Sequence, residues 1–180
     1  MLSFGFTLSA LTMYGLVHLL GSGVFGGMGH TGAKSAAALV MLGCLVIDSG
    51  LFGLSTPMWR RQTPRQHFYR FGPVRGALLW GLDTGLVVTT FRVTSLTWAA
   101  LGVTLFGLVP WWVGLAYALG FTVPAFAMVA LVPPSKDPVE IPEPIWLMDW
   151  LMEREKPIRR VALAVLTAAL AGVAISVFQG

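Results

Sequence analysis

Five apolar blocks divide this chain, and their lengths decide what it can fold into. They run at about 4–26, 35–54, 76–107, 109–132 and 161–178. A hydrocarbon core of about 30 Å takes roughly 20 helical residues to cross. Four blocks fit that requirement directly. Only 11% of the 180 residues are charged and 56% are hydrophobic, against about 25% charged in ordinary soluble domains. A water-soluble enzyme, a disordered tail and a nucleic-acid binder are thereby excluded. The expected architecture is all-α: a single transmembrane domain over 1–180 with about five membrane-spanning helices.

The third block is too long for a simple span. A straight helix over 76–107 would measure roughly 48 Å, so it must be long and tilted, or broken. It also holds Asp83, Thr84, Thr89, Thr90, Arg92, Thr94, Ser95 and Thr97. Irregular backbone at membrane depth is tolerated only where protein or a cavity covers it, which makes this block the centre of interest.

Charge placement predicts the topology. Arg60, Arg61, Arg65, Arg70 and Arg75 follow the second block, and Lys136, Arg154, Lys156, Arg159 and Arg160 precede the fifth. The first connection has only Lys34, and the third is a short turn at 108–110 flanked by Trp111 and Trp112. With five spans both basic segments face one side, which the positive-inside rule makes cytoplasmic. The expected location is the plasma (inner) membrane, with the N-terminus cytoplasmic and the C-terminus outside. The net charge of +4 then points to membrane lipids as partners, with no nucleic acid. The first apolar run has no preceding Lys or Arg and exceeds the length of a signal-peptide core, so a retained span is expected.

In the second basic segment, Ile145–Lys156 is apolar first and charged later. Trp146, Leu147, Trp150 and Leu151 recur at helical spacing, as suits a short interfacial helix, a packed loop element, or a surface for other membrane protein subunits. Gly81 with Gly85, and Gly23 with Gly27, have the spacing that lets helix backbones approach closely. Trp146, Trp150, Gly81 and Gly85 are the interface candidates.

Ionisable groups within the bilayer are costly and are functional candidates by default. His18, Asp48, Asp83 and Arg92 qualify, and Thr89 and Thr90 join them as binding or gating candidates in the polar stretch. Asp48 and Asp83 are expected at similar depth, as neighbours. In the plain reading both carboxylates snorkel to headgroups and Arg92 caps a kink; in the sharper one they form a gate, a proton relay or a ligand site. His18 lacks a second ligand at i+3 or i+4, while His30 and His67 are read as loop residues. No metal set, cofactor motif, Walker loop, nucleophile elbow or CxxC pair is present, and no catalytic residue is nominated. The one cysteine, Cys44, lies in an apolar block and excludes an intramolecular disulfide.

The run GPVRGALLWGLDTGLVVTTFRVTSLTWAALGV, followed by VGLAYALGFTVPAFAMVAL, resembles the second half of the transmembrane thiol-disulfide transporters of the cytochrome c biogenesis family, CcdA and the membrane domain of DsbD. Gly76, Gly81 and Gly85 match the family's glycine framework, Thr89 stands near its threonine, and Tyr117, Ala118, Leu119, Gly120 and Pro124 match its later motif. The resemblance implies a helical membrane fold that begins at the family's second helix. It departs at the chemistry. Phe91 stands where the family has its second redox cysteine, Thr90 and Thr94 replace the flanking prolines, and Cys44 matches neither cysteine position. Thiol-disulfide exchange needs an attacking and a resolving sulfur, so the expected role is a non-catalytic subunit or assembly factor of a larger membrane complex. The alternative is a small transporter or permease using Asp48, Asp83 and Arg92.

Overall fold

The structure, a computed structural model, describes residues 1–57, 66–86, 94–131 and 153–178. These residues form six helices and no strand: α1 (Leu2–Phe25), α2 (His30–Ser49), α3 (Gln66–Gly85), α4 (Leu96–Leu105), α5 (Val113–Leu131) and α6 (Glu155–Phe178). Three segments are long and apolar enough to cross a membrane, namely Leu2–Phe25, His30–Ser49 and Lys156–Phe178. Large apolar side chains along their outer faces are exposed, among them Leu16, Leu20, Leu39, Leu42, Val165 and Ile175. A face of this kind suits lipid rather than water.

Helix directions follow from the contacts. A Cβ at Gly81 would meet Leu2 and Phe6, and one at Gly85 would meet Phe6 and Ser9. The two numberings rise together, so α3 runs parallel to α1. Gly21 of α1 meets Leu105 at the end of α4, whereas Asp48 and Val40 of α2 meet Ser95 and Gly102. Thus α4 also runs with α1, and against α2. In α5, Phe121 stacks on Phe6 at 3.9 Å and Tyr117 lies 6.0 Å from Tyr14, so α5 is antiparallel to α1. Lys34 Nζ donates to Ser176 O at 2.8 Å and Leu166 packs with Met41 and Cys44, so α6 is antiparallel to α2. The start of α1, the end of α2 and the start of α6 therefore share one end of the bundle. The turns at 26–29 and 106–112 and the end of α6 share the other.

The long third block is broken. Its first part, α3, ends at Gly85 near the level of Ser9, and its second part, α4, starts at Leu96. Because both parts run in the same direction, they lie in tandem along α1. The sequence pattern places the start of this helix pair too late. The α3 helix begins at Gln66, inside the segment read as a basic loop, and kinks at Gly72, whose φ of 77° and ψ of 169° lie outside the helical region. Positive φ favours glycine, and Pro73, with φ preset near the helical value, restarts the helix. His67 is therefore helical, and so is His30, the first residue of α2. Apolarity marks only the part of a helix buried in apolar surroundings, so a polar first turn carries no such signal. At the other basic segment, α6 opens at Glu155, so the charged tail of the 145–156 stretch is continuous with the last span.

Three small apolar clusters hold these helices. Met41, Cys44, Ala99 and Leu166 join α2, α4 and α6. Phe6, Ala10 and Ala118 join α1 and α5, and Tyr14 with Leu101 joins α1 and α4. The core is rich in alanine and glycine, small residues that let helix backbones approach closely.

Candidate functional site at the helix break

Asp48 lies in the last turn of α2, where its negative charge faces the negative end of its own helix dipole. That placement is unfavourable unless a positive partner compensates. The N-terminus of α4 supplies one. Both carboxylate oxygens of Asp48 accept from the backbone N–H of Ser95, each at 2.8 Å, and Ser95 is the N-cap residue of α4, with no side-chain capping bond of its own. The acid is therefore a cap delivered from 47 residues away. Asp48 is 3% exposed and Ser95 is fully buried.

The segment after α2 completes the collar. Gly50, at φ 71°, ends α2 in the left-handed conformation, and its N–H donates to Ile47 O. Glycine tolerates this conformation where other residues pay for Cβ crowding. The chain then turns back over the start of α4. Ser95 Oγ donates to Thr56 Oγ1 at 3.2 Å, and Trp98 Nε1 donates to Pro57 O at 2.8 Å. Trp98→Phe, which deletes the donor and shrinks an indole that packs against both the Met41/Cys44 and the Tyr14/Leu101 clusters, is expected to cost about 1–3 kcal/mol, read as a lower thermal midpoint in detergent.

This geometry corrects the plain reading of Asp48: a residue 3% exposed and bonded to a backbone amide does not snorkel. Nor does it rely on Asp83 as a neighbour, because its bonded partner is on α4. Asp83 lies on α3, which packs against α1, between the close-approach glycines Gly81 and Gly85. At Gly85 a Cβ would come within 2.6 Å of Phe6 O, and at Gly81 it would overlap Leu2 O. Both glycines line the α1–α3 crossing within the chain. Gly23 and Gly27 share their spacing but have nothing within 4 Å. Thr89, Thr90, Arg92, Trp146 and Trp150 lie outside the described residues.

Sequence reasoning missed Ser95 as a partner, Thr56, and Gly5 and Gly21, which touch Leu78 and Leu105 respectively. Cys44, one turn before Asp48, is 5% exposed and packed among Met41, Ala99 and Leu166, which is a structural position. Among the described residues no group of three or more His, Cys, Asp or Glu is placed to hold a metal. His18 stands apart from the break: its Nδ1 is buried without a hydrogen-bond partner among the described residues, beside a cleft at the far end of α1. No protein-family profile, curated protein or solved structure matches this chain.

Proposed function

We propose that the protein is a non-catalytic integral membrane subunit, or an assembly factor, of a larger membrane complex. One observation carries this reading: the acid most suited to a gate or relay, Asp48, is occupied in capping α4 within a buried polar collar. Its charge stabilises a broken helix. A transport path instead requires polar groups free to meet a substrate. The exposed apolar faces and alanine-rich, glycine-rich helix contacts suit a component that packs against other helices. The resemblance to the CcdA-type transporters, without their cysteine pair, fits the same role.

In this reading the chain makes five passes through the plasma (inner) membrane, with the broken α3–α4 pair as the third. The helix ends bearing Arg70, Arg75, Arg154, Arg159 and Arg160 face the cytoplasm, and the end of α6 faces outside. Extraction into lipid nanodiscs followed by native mass spectrometry tests the proposal. A second membrane polypeptide at fixed stoichiometry is the expected result. A lone chain that catalyses solute flux in proteoliposomes would overturn it.

The transporter reading has one observation in its favour, the discontinuous pass itself, since broken helices line many transport sites. It predicts flux that collapses in Asp83→Asn and Arg92→Ala.

A further inference from the structure

At the end of the bundle opposite the helix break, α1, the start of α2 and the turn after α4 enclose a partly open cleft of about 320 Å³. Its apolar walls include Phe25 and Phe106, whose rings lie 5.2 Å apart and tilted by 55°, together with Met28. Its polar groups are few and come from two helices: His18 and Ser22 from α1, and His30 at the start of α2. A mostly apolar cleft with a small number of convergent polar groups is the usual form of a small-molecule site, and this volume lies at the lower end of the common range.

His18 Nδ1 defines what such a site would recognise. It is buried and has no hydrogen-bond partner among the described residues, an uncommon and costly state for a polar atom. An imidazole nitrogen can donate or accept according to its tautomer. His18 lies seven residues before Phe25, about 10 Å along the axis, within a helix long and apolar enough to span a membrane. At that depth a charged phosphate is strongly disfavoured, so the group that meets His18 Nδ1 is a neutral one. No third His, Cys, Asp or Glu joins His18 and His30 into a metal set among the described residues, and the cleft is larger than a bare ion fills.

We propose that this cleft binds a neutral, lipid-soluble ring compound carrying a carbonyl or hydroxyl oxygen, a quinone-type headgroup, with His18 Nδ1 as its hydrogen-bond partner and the ring held against Phe25 and Phe106. The site is separate from the collar around Asp48, and ligand binding here is compatible with a subunit role.

The test uses the full chain in nanodiscs, labelled with ¹⁵N-histidine and titrated with decylubiquinone. A saturable shift of the His18 Nδ1 resonance is expected. His18→Leu should weaken binding about tenfold or more. Ser22→Phe, which fills the cleft from an exposed position, should abolish binding while circular dichroism and the thermal midpoint stay unchanged. Non-saturable shifts overturn the proposal, as does equal affinity in the wild type and both variants. Stoichiometric saturation of His18 by Zn²⁺ or Cu⁺ without quinone binding also overturns it, in favour of a metal site.

Discussion

Asp48→Ala is expected to destabilise the protein by about 3 kcal/mol. The substitution leaves the buried Ser95 N–H without its acceptor, which costs about 1–3 kcal/mol, and removes both the cap and the charge at the N-terminus of α4, each worth up to about 1–2 kcal/mol. Because these contributions share one interaction, they do not add fully. Asp48→Asn keeps an acceptor oxygen of similar reach but loses the charge, so a loss near 1 kcal/mol is expected. Equilibrium unfolding of the two variants in mixed micelles measures both values. Equal losses would mean that charge, rather than the hydrogen bond, dominates at this cap.

Gly81→Leu is the second large effect. The Cβ alone would overlap the Leu2 carbonyl oxygen, and neither backbone can yield as a flexible side chain would. Overpacking against side chains typically costs about 1–3 kcal/mol; against backbone the crossing itself must open, and a loss of at least 3 kcal/mol is expected. Gly23→Leu is the control, since nothing lies within 4 Å of that position. It should not destabilise the protein, and replacing a helical glycine with a better helix former is expected to stabilise it by up to about 1 kcal/mol. The pair separates a specific contact from a general intolerance of large residues in these helices.

Both predictions concern features that the sequence only half revealed. Asp48 stood out because a carboxylate inside an apolar block is costly, and that cost does require a partner. The partner was illegible, because Ser95 contributes a backbone N–H and every residue except proline has one. Thr56 was hidden in the same way, lying in a connection with no periodicity. That the 76–107 block could not be one straight helix of ordinary length was legible from its length and its threonines, but whether it tilts or breaks, and that its first helix ends at Gly85, was not. The position of α3 was not, because its first turns are polar and its kink depends on one glycine at φ 77°. GxxxG spacing was equally present at Gly23 and Gly81, and only tertiary packing distinguishes them. His18 was noted for its depth in α1, but the cleft beside it is built from three elements and leaves no local pattern.

The carboxylate of Asp48, as acceptor for the Ser95 N–H, holds the start of α4 to the end of α2. Amide hydrogen exchange at Ser95, measured for the protein in nanodiscs, tests this link most directly. Ser95 precedes α4, so its N–H has no place in that helix's own ladder and would exchange quickly if left to solvent. Protection comparable to the interior of α2 is expected in the wild type, falling at least tenfold in Asp48→Ala while the amides of α2 at Met41 and Cys44 stay protected. A Ser95 amide that exchanges freely in the wild type, or one whose protection is the same without the carboxylate, would contradict that link.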